Sequence, residues 1–431
     1  MASVANWHTT NRAIIAGVVA GLFFPLAALL GLPVRSTVTP LMLRKAVWAG
    51  SNLGSYPMAE EAIHELVGVS MSAKRIRRIV YQIGSERVAE REAAVAYFQE
   101  MDLPKQQAGS QAVAPPQVGV ISMDGGRYQR RDHFGEKDRP PNQNHWREDK
   151  VGCLLAMTSS VHPSDPTPEL PEWLARSSAV AELAKIAEKT GGSDTMKPSQ
   201  GSLPEPSSDI GYEPPKLISR EVLASGVESE SFGHQLAARA WQMGFPGAER
   251  LAFVADGAHA NWTIQQQHFS RAIPILDLMH ALSYAYSAAD AVAKNVYPQW
   301  AGWIWQGEVN RVIGALGDHQ RQIGKPPPEA SPSDPRERVD RALTYYQNHR
   351  SRMNYPEYRR LGLPLTSSHI ESTIKQINRR VKGTEKFWLQ PTCEVVLQLR
   401  ADYLSDSAPL DAFWLRHQAS QTGSNAYNQA T

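Results

Sequence analysis

Glu371 stands near the head of a basic stretch, GLPLTSSHIESTIKQINRRVKGTEKFW over residues 362–388, which closes on two aromatics. A single acid among Lys375, Arg379, Arg380 and Lys382 has two chemical readings. It pairs with Lys375 one helical turn on, a contact worth about 0.2–0.5 kcal/mol. Or it holds a hard cation beside groups that neutralise phosphates. The second reading needs more carboxylates, and the chain has them at the ends of apolar runs: VGVISMD stops at Asp124, LAFVAD at Asp256 and AIPILD at Asp277. A run of this kind puts its acid at the rim of a buried sheet, where ligands of open α/β sheets collect. Carboxylates converging on two ions about 3.5–4 Å apart are what metal-assisted phosphoryl transfer uses. His280, three positions after Asp277, is either an accessory to such a site or a packed or capping histidine.

The elements that would position these groups follow from periodicity. Ser367 or Ser368 caps a helix that carries Glu371. Ile370, Ile374, Ile377 and Val381 form its apolar stripe, and Glu371, Lys375, Asn378 and Lys382 form the neighbouring one. The spacing predicts a strand ending at Asp124, with Gly125 and Gly126 as the turn, and a second strand at Val151–Met157 that closes a hairpin. Strands also run into Asp256 and Asp277, and a helix follows the latter. A further helix is expected over 219–243. Helices occupy 296–350, interrupted by the loop KPPPEASPSDP. Residues 160–215, rich in Pro, Ser and Glu with a helical piece at 177–192, read as a surface insertion.

Nearer the N-terminus, MAEEAIHELVG precedes VSMSAKRIRRIVYQIG. Gly68 ends the first helix and Ser70 or Ser72 caps the second. Ile76, Ile79, Val80 and Ile83 share one face, and Lys74, Arg75, Arg77 and Arg78 occupy the others. This is the pattern of a helix-turn-helix with a basic recognition helix. It is equally the pattern of a solvated basic helix on an ordinary bundle.

Composition sets the outer bounds. A chain of 431 residues with 42% hydrophobic and 20% charged residues builds a globular core and divides into two or three domains. Its two cysteines, Cys153 and Cys393, exclude a disulfide framework and a cysteine-based zinc site, and the simplest compartment is a reducing cytoplasm. Residues 13–34, AIIAGVVAGLFFPLAALLGLPV, carry no charge and are long enough to span a bilayer. Arg12 and Arg35 flank this segment without giving it an orientation, and Pro25, Pro33 and three glycines favour irregular or buried packing over a span.

Taken together, FVADGA, ILDLMHALSY and the long stretch around Glu371 resemble the DDE transposases of bacterial insertion sequences, in particular the Kra-type family, which is related to the Mutator-like superfamily. MNYPEYRRLGLP and the N-terminal GLFFPLAALLGLPVRSTVTPLMLRKAVWAG extend the likeness, which covers roughly residues 22–104, 117–157 and 212–403. The resemblance implies an RNase H-like catalytic domain, a mixed sheet flanked by helices, with a helical insertion and an N-terminal helical DNA-binding region. By that likeness Asp124, Asp256 and Glu371 are the catalytic, metal-holding triad, served by two magnesium or manganese ions, and Asp277 and His280 are accessory. Lys74, Arg75, Arg77, Arg78, Lys375, Arg379, Arg380 and Lys382 would meet DNA. The implied partners are double-stranded transposon ends and target DNA, and a second copy of the chain in a homodimer or larger assembly. The implied location is cytoplasmic and nucleoid-associated, without stable membrane association.

The expected organisation is an apolar segment at 1–35, a helix-turn-helix-like region at 36–104 and a linker at 105–116. The core begins at 117–290, carries the insertion 291–360, and ends with the glutamate helix at 361–405, before a tail at 406–431. Two features depart from the family pattern. No cysteine pairs precede the aromatic-proline segment, and the stretch 160–215 is long. They leave open a DNA-binding relic that has lost catalysis. A membrane-anchored protein using residues 13–34, and an RNase H-like endonuclease that cuts without joining, are the other readings.

Overall fold

The computed structural model describes residues 38–132, 145–175, 180–181, 214–293 and 295–422, so the apolar stretch 13–34 lies outside the described residues. Among those described, no helix is long and apolar enough to cross a membrane. The chain forms two compact units, one of residues 1–87 with 408–431 and one of residues 88–407.

The first unit is helical. Its helices are α1 (Pro40–Asn52), α2 (Tyr56–Val67), the opening half of α3 (Ala73–Gln99) and the helix Pro409–Thr422. The hydroxyls of Thr39 and Ser55 accept from the third N–H beyond them, at Met42 and Met58. Gly68 closes α2 in the left-handed conformation (φ 68°), which costs a residue without a Cβ nothing. Ser72 starts α3, accepting from the Arg75 N–H. The apolar face expected there is the one that is buried: Ile76, Ile79, Val80 and Ile83 are 0–8% exposed. Lys74, Arg75, Arg77 and Arg78 are all exposed.

The second unit is an α/β fold around a mixed open sheet. Its strands are β1 (Val118–Arg130), β2 (Trp146–Thr158), β3 (Lys216–Ser225), β4 (Arg250–Ala255), β5 (Ile273–Leu276) and the short β6 (Phe387–Trp388). The order is β3-β2-β1-β4-β5, with β6 pairing the far end of β1. β1, β2 and β3 are antiparallel, whereas β4 and β5 run parallel to β1. Val118–Met123 are buried at every position, as a strand covered on both faces must be. On one face lies α4 (Ser229–Gln242), whose Leu236 and Phe232 press on Gly152 of β2. On the other lies α11 (Ser368–Val381), whose Thr373 meets Cys153 of β2. Between β4 and α11 the chain adds α5 (His259–His268), α6 (Leu278–Val292), α7 (Tyr297–Trp305), α8 (Val309–Ile323), α9 (Pro335–His349) and α10 (Tyr355–Arg360). α12 (Gln390–Leu404) packs against β3.

Two expectations are corrected. Gly125 and Gly126 are not a turn; β1 continues through them to Arg130. Their missing side chains leave room for β2, because a Cβ on Gly125 would lie 2.4 Å from Glu148 Oε1 and one on Gly126 2.7 Å from either Asp149 oxygen. The helix expected over 219–243 is β3 followed by α4: Gly226 separates them, and burial of Val222–Ser225 beside β2 outweighs local helix preference. Within 105–116, Ser110 N–H donates to Trp241 O, and Lys105 O accepts from the Trp241 indole N–H. Asp165, inside the expected insertion, is bonded to the fully buried Arg359 at 2.8 Å. Most of the helical piece at 177–192 lies outside the described residues.

Candidate active site

The register of the sheet brings three acids to one level. Ser122 of β1 pairs with Val254 of β4, so Asp124 and Asp256, each two residues further on, stand side by side, Asp124 within β1 and Asp256 just past the end of β4. Ala255 of β4 pairs with Leu276 of β5, so Asp277 follows at the same level. The Asp277 N–H donates to Ala255 O at 2.9 Å, extending the ladder to that point.

The fourth acid arrives from above. On α11 the expected apolar stripe, Ile370, Ile374, Ile377 and Val381, is buried, with Thr373 and Arg380. Glu371 is left half-buried and Lys375 exposed on the adjacent stripe. Because the α11 face holds Cys153, and Cys153 pairs with Ser122, Asp124 also lies on the α11 face of the sheet.

The acids differ in their partners. Asp124 accepts one backbone bond, from Gly125 N–H at 2.6 Å. Burial, followed by the charge of Asp256, pushes its carboxyl up to about 7; Glu371 adds to the rise, and Gly125 and His280 oppose it. Asp256 uses Oδ1 to accept from Ala258 N–H (2.9 Å) and Asn261 Nδ2 (2.8 Å), which fixes its rotamer on the loop before α5. Burial and Asp277 raise Glu371, while His280 and Lys375 lower it. Lys375 thus acts on Glu371 at a distance, and among the described residues none of Asp124, Asp256 and Glu371 closes a salt bridge with a lysine or arginine.

Asp277 is of another kind. It is fully buried and every bond it can accept is made. Oδ1 takes the His280 N–H (2.8 Å), so capping α6, and lies 3.2 Å from His280 Nδ1. Oδ2 takes both the N–H (2.6 Å) and the hydroxyl (2.8 Å) of Ser367. Burial works against its charge, but these bonds hold the carboxyl below its ordinary value. Burial likewise opposes a charged His280; the bond to Asp277 and the charges of Asp277, Asp256 and Glu371 outweigh it and push the imidazole up to about 10. Ser367 therefore does not cap α11 with its side chain, as the sequence leads one to expect. Its hydroxyl ties the start of the Glu371 helix to the end of β5 instead.

Two further features carry no obvious signal in the sequence. Asp149 on β2, opposite Gly126, shares the α11 face with Asp124 and is fully buried, yet among the described residues neither of its oxygens has a hydrogen-bond partner on another residue. Burial, then the charge of Glu148, pushes it up to about 7. The only hint is an acid directly before an apolar run and facing a double glycine. Beside Asp256, the ring of Tyr345 on α9 comes so close that a Cβ on Gly257 would lie 2.4 Å from it. Arg352 Nη1 lies 3.0 Å from His349 Nδ1, and its guanidinium 4.4 Å from the Trp262 ring centroid. α9 and the turn after it thus form a wall behind the Asp256 loop.

Of the cations proposed for DNA, Lys375 and Arg379 are exposed and Lys382 half-buried. Arg380 is corrected: it is 3% exposed, its guanidinium 5.0 Å from the Trp388 ring centroid, and so is part of the core.

Among the described residues no three His, Cys, Asp or Glu side chains are grouped tightly enough to hold an ion as they stand. Asp124 senses the charges of both Asp256 and Glu371, with no hydrogen bond among the three. The donor chemistry nevertheless suits a hard dication: oxygen ligands only, desolvated, mutually repelling and unneutralised by lysine or arginine. No family model matches the chain, and a comparison with curated proteins finds no match.

Proposed function

We propose that the chain is a metal-dependent DNA-cleaving and strand-joining enzyme, a transposase of the DDE type with an RNase H-like core. The observation that carries this reading is the register that sets Asp124 beside Asp256, with Glu371 in electrostatic reach and, among the described residues, none of the three in a salt bridge with a lysine or arginine. A sheet of order β3-β2-β1-β4-β5, antiparallel in its first three strands and parallel thereafter, with helices on both faces, is compatible with such a core. The motif resemblance around Asp124, Asp256 and Glu371 points the same way.

Asp124, Asp256 and Glu371 would hold magnesium or manganese, two ions by the resemblance. When bound, these supply Lewis-acid activation of the attacking oxygen and charge stabilisation at the leaving one. The reaction is in-line attack by water, and then by a 3′-hydroxyl, on a DNA phosphodiester. The acids serve as ligands and not as proton carriers. Asp277 is a positioning residue that fixes His280 and the entry of α11, and through them Glu371. His280 sets a positive charge beside the cluster, where it restrains carboxylate repulsion. Lys375, Arg379 and Lys382 line the approach of the phosphate backbone, and the exposed Lys74, Arg75, Arg77 and Arg78 give the first unit a second basic surface for duplex DNA. The chain would work on paired transposon ends as a homodimer or larger assembly, at the nucleoid.

The test is strand cleavage and joining of DNA carrying the flanking terminal repeats. Asp124→Asn, Asp256→Asn and Glu371→Gln should each lower the rate by about 10³-fold or more in magnesium, about 4 kcal/mol of barrier, with duplex affinity in chelator unchanged. Any one of the three that still cleaves at the wild-type rate leaves the site. Wild-type protein that binds duplex but never cleaves would support the relic, and cleavage without joining the simple endonuclease.

A further inference from the structure

β1 does not stop at the carboxylates. It runs on to Arg130, and β6 pairs alongside, Phe387 opposite Gln129 and Trp388 opposite Arg130. Neighbouring residues of a strand face opposite ways. Trp388 turns inward: it is 8% exposed, and its indole N–H donates to Val381 O at 2.8 Å. Phe387 turns outward and is 38% exposed. The Arg131 guanidinium lies 5.1 Å from its ring centroid, and the His145 ring meets it edge-on at 5.4 Å. A second ring, Trp146 on β2, also pairs with Gln129, and Lys382 Nζ lies 5.9 Å from its centroid.

A single exposed aromatic means little. Here, however, the ring is held on a stiff mount. Gln129 Nε2 donates to Gly383 O (2.6 Å) and Thr384 O (3.0 Å), and Arg131 N–H donates to Trp388 O (2.9 Å). The chain bearing Phe387 is thus fastened to β1 on both sides. Rings and cations alternate across the patch. Of the nearby acids, Asp132 is taken by Arg130 and Arg147, and Glu148 lies 3.4 Å from Lys150; Glu385 is exposed. Among the described residues Arg127, Arg131 and Lys382 close no salt bridge with any acid.

We infer that this patch holds unpaired nucleotides of a DNA strand, Phe387 and Trp146 meeting base faces and Arg127, Arg131 and Lys382 the intervening phosphates. The inference deepens the reading of the carboxylates as a DNA-cleaving centre and rests on it. Aromatic faces interleaved with cations suit a strand whose bases are free to stack, and a duplex hides those faces. From Asp124 to Gln129 the strand covers about 16 Å, and the odd step puts the two on opposite faces of the sheet, so a strand freed at a cleaved or frayed end would pass round the rim of the sheet to reach the patch.

The test is fluorescence anisotropy of the full chain in chelator, where no chemistry occurs. The probes are a labelled oligothymidylate of about 15 nucleotides and a labelled duplex of the same length. Phe387→Ala should weaken oligothymidylate binding about tenfold and duplex binding less than about twofold. Phe387→Trp should restore affinity, and Phe387→Leu, which keeps the bulk and loses the ring, should not. Unfolding midpoints of the variants establish that they are folded, and Leu against Trp decides the matter if the alanine variant is not. Unchanged oligothymidylate affinity in Phe387→Leu, or an equal loss on both probes, overturns the inference. The parent reading is scored separately by cleavage in magnesium. A ring-dependent probe with no cleavage sinks the catalytic centre and spares the patch; cleavage with an indifferent Phe387 does the reverse.

Discussion

Asp277 and Asp149 are both fully buried carboxylates of one sheet, yet their surroundings are opposite. At the end of β5, Asp277 accepts from two backbone N–H groups and a hydroxyl and meets the imidazole of His280. On β2, Asp149 accepts from no other described residue, and only its own N–H eases its charge. The first is held below its ordinary pKa and the second is pushed up to about 7. Burial therefore does not say what an acid is for; the partner set does. An acid bonded on every side is part of the frame, and one left desolvated and unpaired is a cost the fold carries. Asp124 belongs with the second kind, having a single N–H partner and two acids nearby.

The largest effect that tests this contrast is at Asp277. Asp277→Ala strands the Ser367 N–H and hydroxyl and the first turn of α6 without acceptors, and leaves His280 facing Asp256 and Glu371 alone. We expect a stability loss of about 3–5 kcal/mol, the range for breaking a buried charged pair, read by urea or thermal unfolding. A loss below about 1 kcal/mol would mean that the network is not what joins β5 to α11.

The opposite sign is expected at Asp149. A buried acid without a partner is most comfortable protonated, so Asp149→Asn should stabilise the protein by about 1–3 kcal/mol above neutral pH and do little at pH 4. If Asp149→Asn is destabilising at pH 8, the carboxylate has a partner after all, and Lys382, whose charge it senses, is the first to examine.

The same contrast fixes the pH dependence of the metal-free protein. Asp124 and Asp149 have raised folded-state values, so the stability they contribute is complete below the ordinary value of 3.8 and is lost as the pH climbs through about 7. Asp277 is lowered, so its contribution is present above 3.8 and disappears as the pH falls below it. Burial pushes His268 and His349 down to about 4, and they work the other way over the same interval. The decline is therefore read as a difference: in chelator the wild type should lose stability between pH 4 and 7 relative to an Asp124→Asn, Asp149→Asn double variant, and millimolar magnesium should recover part of that loss if Asp124 is a ligand. A difference that goes the opposite way over this interval would contradict the placement of both raised acids.

Which parts of this were legible in the sequence follows from how each signal arises. The faces of α3 and α11 were readable because helical periodicity depends on residues a turn apart. The acids Asp124 within β1, and Asp256 and Asp277 just past β4 and β5, were readable because each closes an apolar run. β3 was misread because its character comes from pairing with β2, which is far away in the chain. The role of Ser367 was misread for a similar reason: the sequence offers it as a local cap, and an acid ninety positions earlier takes the hydroxyl. Asp149 and the Tyr345–His349 wall are products of packing alone.

The smallest predicted effect carries the contrast over to cations. Arg379 and Arg380 are adjacent on α11, but Arg379 is exposed and Arg380 lies against Trp388. A phosphate contact shows itself in the salt dependence of binding, because each neutralised phosphate releases counterions. Arg379→Ala and Lys375→Ala should each reduce the slope of log affinity against log salt by about 1. Arg380→Ala should leave that slope where it was and lower the unfolding midpoint instead, since what it removes is packing against an indole. Were Arg380→Ala to flatten the salt dependence as Arg379→Ala does, DNA would have to draw this side chain out of the core, and α11 would be a movable element instead of the fixed mount that its tie through Ser367 to Asp277 implies.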